Sequence, residues 1–333
     1  MRVALLVVVL GFCGYGLFAE WPQVAVGLAG VQWYSVALSL LASMGGSACL
    51  MLAWRAVLAD FGSPLPVKAA AKISFVSQLG KYVPGAVWAF AAQVEMGHDR
   101  GVPRRRSVAS VAVSLAVTVG AGLGVAALAL PLASPSMARH YWWVLAAIPV
   151  IVIGLCPPVL GPVIDRGLAL VRRQPLERRL SWRGLAQALT WTLVGWVLLG
   201  VQVWLIQADL AGQGRLLLLA IGGYALAVSI GLLLVVFPSG IGAREVILIA
   251  ALTTVLPHGT ALAVALVARG VTTASDLALG GIGLAMGRGA KAAELAQAGR
   301  HRKAGRWPSA YRNLTVDQGQ QAPEQLTQAE VGS

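Results

Sequence analysis

Long stretches of this chain without a single Asp, Glu, Lys or Arg run over residues 3–19, 31–54, 107–138, 141–164, 184–207 and 216–243. Each approaches or exceeds the roughly 20 residues that cross a bilayer core of about 30 Å. Only 12% of the 333 residues are charged and 57% are apolar, whereas soluble domains are about a quarter charged. The chain therefore reads as an all-α, polytopic membrane helix bundle, and a soluble globular domain is excluded.

The formal net charge of +13 is gathered at Arg100 with Arg104, Arg105 and Arg106, in the loop 166–183 and in the tail 288–312. Basic loops of membrane proteins stay in the cytoplasm. These three clusters are expected there, with connections 20–30, 132–140 and 208–214 facing out. The protein is then a multi-pass cell-membrane protein with both termini cytoplasmic. The basic loops are short and flank spans, so the expected partner is the bilayer and not nucleic acid. Trp21, Trp33, Trp142, Trp143 and Trp182 fall at span ends, where indole rings favour the headgroup layer. Cys13, Cys49 and Cys156 are scattered in apolar segments, which offers neither a disulfide framework nor a CxxC site. No cofactor or metal is expected. The first stretch lacks a small-x-small cleavage site and runs into Glu20-Trp21-Pro22, so it is read as a retained helix.

Two apolar segments are broken. Residues 72–97 have both flanks on the expected cytoplasmic side and are interrupted by Val83-Pro84-Gly85. Proline removes a backbone donor and glycine permits a turn, so a re-entrant hairpin is expected. Irregular backbone at membrane depth requires protein or a wet cavity around it. On a helical wheel Phe75, Val76 and Leu79 fall on one side, and Ser74, Ser77, Gln78 and Lys81 on the other. That stripe points Lys81 at a cavity, with snorkelling to the interface as the alternative.

The second break is Phe237-Pro238-Ser239-Gly240-Ile241-Gly242. A new helix is expected near Ala243, with Arg244 and Glu245 in its first turn. A helix start in a membrane presents unpaired N–H groups to an anion, and arginine adds a planar fork matched to phosphate. Glu245 also has a structural reading, as the third helical residue behind a Gly242 N-cap.

In the last apolar helix Arg269, Thr272, Thr273 and Asp276 share one face at i, i+3, i+4, i+7 spacing. Arg269 and Asp276 are about 10 Å apart along the axis, so cross-helix pairs are expected, such as Glu245 with Arg269 or Arg244 with Asp276. A lone charge at mid-bilayer costs at least about 2.5 to 3.5 kcal/mol. Lys81, Arg244 and Arg269 outnumber Glu245 and Asp276, and an anionic headgroup fits the surplus.

Phe237-Pro238-Ser239-Gly240-Ile241-Gly242-Ala243-Arg244-Glu245, together with Gly80-Lys81-Tyr82-Val83-Pro84-Gly85-Ala86-Val87-Trp88, resembles the lysylphosphatidylglycerol synthase transmembrane region, a flippase-like domain. The resemblance spans 1–287. It implies a multi-helix unit with broken helices that moves lipids or lipid-linked precursors between leaflets. Pro238, Gly240, Gly242, Arg244 and Glu245 carry over, with Lys81, Pro84, Gly85 and Trp88 for a subgroup. Many members place Gly-Glu and an arginine after the first-half proline, whereas Gly85 here is followed by Ala86, Val87 and Trp88. Synthase members add a soluble transferase domain, and only a basic then polar tail, 288–333, follows here. That tail is expected to be disordered and the synthase activity is not carried over.

The expected function is translocation of a lipid or lipid-linked phosphate substrate bound by Lys81, Gly85, Trp88, Gly240, Gly242, Arg244, Glu245, Arg269 and Asp276. About eight crossings are expected, with the helix after Gly242 short. An accessory subunit, in which the charges form a structural network, is the alternative. A membrane-embedded lipid-modifying enzyme fits less well: His98, His140, His258 and His301 are isolated, and no HExxH or paired-carboxylate motif is present.

Overall fold

The computed structural model describes residues 30–82, 88–133, 139, 145–170, 178–211, 216–233 and 242–303. Ten α-helices and no strand occur among them: α1 Trp33–Asp60, α2 Val67–Gln78, α3 Trp88–His98, α4 Arg104–Ala133, α5 Ala147–Leu155, α6 Pro157–Leu170, α7 Trp182–Ala211, α8 Leu217–Leu233, α9 Ala243–Leu252 and α10 His258–Lys303. The first expected span, 3–19, lies outside the described residues, as do Cys13, Trp21, Trp142 and Trp143. Met1–Gly283 and Leu284–Ser333 are separate compact units, and the candidate site lies in the first.

Four helices are long and apolar enough to cross a membrane: α1, α4, α7 and α10 as far as Met286. Helices α5 and α6 add a fifth crossing if the two are one span, so the described residues supply four or five against the eight expected. Stretch 141–164, read from sequence as one plain span, is instead broken, since α5 and α6 meet at 65°. The cause is Cys156-Pro157-Pro158. A proline pushes its predecessor out of the helical region, and Cys156 is accordingly extended, at φ −60° and ψ 137°. Pro157 then opens α6, where its missing N–H costs no hydrogen bond.

Helices α1 and α7 form an antiparallel pair pinned at both ends. The Gln32 N–H donates to Asp209 at 2.9 Å, and at the other end the N–H and hydroxyl of Ser181 donate to Asp60 at 2.6 and 2.7 Å. Between them Gly46 lets α7 close in. A Cβ there would lie 2.6 Å from Leu199 Cγ, and small residues are what allow close helix packing in lipid. Trp33 and Trp182, 80% and 61% exposed, begin α1 and α7 and so sit at opposite ends of the pair, as interface anchors do. One core joins Trp196 and Val203 of α7, Leu219 and Tyr224 of α8, Leu252 of α9 and Ala268 of α10.

The hairpin is built from α2 and α3, with 12 and 11 residues. At about 16–18 Å neither crosses the bilayer core alone. They fold back closely, for a Cβ on Gly80 would lie 2.9 Å from the Ala89 nitrogen. Val83-Pro84-Gly85, expected to supply the break, lie outside the described residues. The α-helix has already ended at Gln78, and it tightens into a 3-10 turn over Leu79–Tyr82. Trp54 and Leu58 of α1, Ile73 and Phe75 of α2 and Leu279 of α10 form a second core that holds this hairpin. At its mouth Arg104 reaches Glu95 at 2.7 Å. Arg106 donates to the Gly62 carbonyl and the Ser63 hydroxyl, both at 3.1 Å.

Candidate functional site

The 3-10 turn that ends α2 carries Lys81 to the middle of α10. Its Nζ lies 2.7 Å from Asp276 Oδ2. The Tyr82 hydroxyl donates to the same oxygen, also at 2.7 Å. Asp276 is 6% exposed, so this carboxylate meets its two partners out of bulk water. Of the polar side expected along α2, Ser74, Gln78 and Lys81 line a common cavity, but Phe75, expected on the opposite side, lines it too. Ser77 turns back and donates to the Ser74 carbonyl at 2.9 Å.

The second break begins α9 where the sequence places it. Gly242 is the N-cap at φ +88°, a left-handed conformation open to glycine at little cost. Its N–H donates to Glu245 Oε2 at 2.8 Å, so the glutamate caps its own helix from the third position. The other oxygen, Oε1, lies 3.6 Å from Arg269 Nε. Of the two cross-helix pairs expected, Glu245 with Arg269 forms and Arg244 with Asp276 does not, because Lys81 holds Asp276. Phe237, Pro238, Ser239, Gly240 and Ile241 lie outside the described residues, as does Gly85.

Arg244 meets no carboxylate among the described residues. Its Cζ lies 4.6 Å from the centre of the Tyr224 ring, and Nη2 donates to the Tyr224 hydroxyl. That hydroxyl lies 3.2 Å from Thr272 Oγ1. Thr272 spends its own proton on the Ala268 carbonyl at 2.8 Å, which makes Tyr224 the donor to Thr272. Gln202 Nε2 adds a bond to Thr272 at 3.2 Å and another to the Ala268 carbonyl at 3.1 Å. The relay fixes the Tyr224 hydroxyl with its oxygen toward Arg244. The guanidinium thus has a neutral acceptor and an aromatic face, which orient it and leave its charge unneutralised.

Lys81, Arg244, Arg269, Thr272 and Asp276 all line one cavity of about 300 Å³. This lies at the lower end of the range of small-molecule sites, roughly 300–1,000 Å³. Phe90, Val111, Leu115 and Val228 supply apolar walls, and Gln93 and Ser114 polar ones. Glu245 stands behind Arg269 and does not reach the lining. Trp88 begins α3, 57% exposed and off the lining, and Thr273 donates back to the Arg269 carbonyl at 2.9 Å. Among the described residues no three of His, Cys, Asp and Glu gather as a metal site requires.

Sequence reasoning missed Tyr82, Tyr224 and Gln202. Gln202 carries a signal, since a buried amide in the charge-free stretch 184–207 usually finds a partner, but Gln187 and Gln207 share that stretch and Gln207 is buried without one among the described residues. Tyr224 carries the same signal, a phenol in the charge-free stretch 216–243, and Tyr82 stands beside Lys81 in the motif that carries the resemblance.

The family profile described as "Lysylphosphatidylglycerol synthase TM region" matches residues 2–280, nearly the whole of the first unit and both broken segments. No curated protein matches the chain significantly.

Proposed function

Because the chain belongs to the lysylphosphatidylglycerol synthase transmembrane-region family, we propose that it translocates a membrane lipid or lipid-linked precursor, holding an anionic phosphate head between the hairpin tip and the start of α9. The observation that carries this reading is Arg244, a cation without a carboxylate partner among the described residues, lining a cavity beside Lys81. A phosphate there meets a guanidinium fork from one side and an ammonium from the other. It offsets the mid-bilayer cost of Arg244, and Arg244 offsets that of the phosphate. Glu245 keeps Arg269 neutralised, while Asp276 can exchange Lys81 for the ligand and keep its bond from Tyr82.

The proposal includes about eight crossings, both termini in the cytoplasm, and movement of the lipid without covalent change. The test is a reconstituted vesicle assay of headgroup exposure on wild type and Arg244→Ala. Loss of transport in a variant that still folds supports the reading, and unchanged transport removes Arg244 from it. A structural network is the second reading, favoured by the two ion pairs that already satisfy Lys81 and Arg269. On that reading the protein has no transport of its own: Arg244→Ala lowers the melting temperature, and vesicles with wild type expose no more headgroup than protein-free vesicles.

A further inference from the structure

The cavity continues beyond the charged cluster. From Tyr224 it follows α8 past Val228 and Gly231 to Leu232, about 12 Å along the helix axis. There it meets Leu115 of α4, which also lines a second space. This is a groove of about 380 Å³ between α4 and α5, running along Ala112, Ala116 and Gly120 and bounded by Ile151, Gly154 and Leu155. Its α8 lip is Leu233, the residue after the last α8 residue of the cavity. Cavity and groove therefore share Leu115 on α4 and come together on α8 at the neighbouring Leu232 and Leu233. Every groove-lining residue is apolar or glycine, and the neighbouring Val150, Val152 and Ile153 are exposed on a surface that hydrocarbon covers in a membrane.

We propose that the groove takes the hydrocarbon chain of the amphiphile whose phosphate sits at Arg244, so that the chain runs between α4 and α5 while the head occupies the cavity. This rests on the reading of the cavity as a headgroup site. A chain gains little by leaving lipid for an apolar groove, because lipid tails are as apolar as leucine. The groove's value is as a path. A head drawn to mid-membrane must bring its chain, and a lateral groove adjoining the head cavity keeps that chain in hydrocarbon throughout. Glycine shapes the groove at two points. A Cβ on Gly120 would lie 2.9 Å from Leu155, whereas one on Gly154 would meet nothing within 4 Å. A large side chain at 154 can therefore fill the groove with little displacement of the protein around it.

The experiment uses full-length protein in phosphatidylcholine nanodiscs with phosphatidic acid that carries a photoreactive diazirine at the end of one acyl chain. Crosslinked peptides are mapped by mass spectrometry in wild type, Gly154→Phe and Arg244→Ala, with and without excess glycerol 3-phosphate. Adducts are expected in residues 112–120 and 151–155. They should fall at least about tenfold with Arg244→Ala or with glycerol 3-phosphate, the effect of losing a charge-assisted hydrogen bond, while adducts elsewhere on the membrane belt persist. Gly154→Phe should remove the groove adducts and leave glycerol 3-phosphate binding unchanged. Groove adducts indifferent to Arg244→Ala and to glycerol 3-phosphate would show ordinary annular lipid and overturn the proposal, while the headgroup reading survives. Failure of wild type to bind glycerol 3-phosphate overturns the headgroup reading, and this proposal with it. The competition arm uses wild type alone and holds even if a variant fails to fold.

Discussion

Tyr224 decides what Arg244 can do. Its ring lies beneath the guanidinium and its hydroxyl, fixed by Thr272 and Gln202, accepts from it. Tyr224→Phe keeps the ring and removes the acceptor. It should weaken glycerol 3-phosphate binding by about 1 kcal/mol, roughly fivefold, in a calorimetric titration of purified protein. Asp276 is the residue whose loss the fold should feel most. It is 6% exposed and holds both Lys81 and Tyr82. Breaking a buried pair by neutralising one member costs about 3–5 kcal/mol, and Lys81, 28% exposed, puts this case at the lower end. Asp276→Asn should therefore lower the melting temperature clearly, and Lys81→Met added to it should restore most of the loss. A double variant no more stable than Asp276→Asn would show that the pair is not the source.

Among the elements, the start of α9 was legible because proline and glycine punctuate a charge-free run, and Glu245 was legible because its distance from Gly242 is that of a helix cap. Gly242→Ala tests the cap. At φ +88° a Cβ costs roughly 1–2 kcal/mol, to be read as a lowered melting temperature in detergent. The break between α5 and α6 was equally present in the sequence, as Pro157-Pro158, yet a hydropathy window over 141–164 averages across it. Partner choice was not legible. Arg269 and Asp276 share a helix face, and which cation each carboxylate receives depends on how deep the hairpin tip reaches, a tertiary quantity. A census of charges also passes over Tyr224 and Gln202, neutral groups that fix where the charges point. At the hairpin mouth a hydrogen bond from Arg104 holds the Glu95 carboxyl below its ordinary value of 4.5. A carboxyl with a lowered folded pKa stabilises above the ordinary value, and the contribution fades as pH falls through the lower, folded one. Glu95→Gln should thus narrow the difference in melting temperature between pH 7 and pH 3 slightly, since the pair is exposed.

Among the described residues the first unit is a helix bundle in which the long helices α1, α4, α7 and α10 share cores with two short elements, the hairpin and α9, whose Lys81 and Arg244 line one cavity. Each short element brings a charge to that cavity, Lys81 from the hairpin and Arg244 from α9. Lys81 and Arg269 find carboxylates there, and Arg244 does not among the described residues. On the proposed function that uncompensated guanidinium is the seat of a phosphate-bearing lipid. Native mass spectrometry of the protein released from membranes of mixed phospholipids measures this directly. Wild type should retain a phosphate-headed anionic lipid that Arg244→Ala loses while still folded. Equal retention by both proteins, or no retained lipid in wild type, would contradict it.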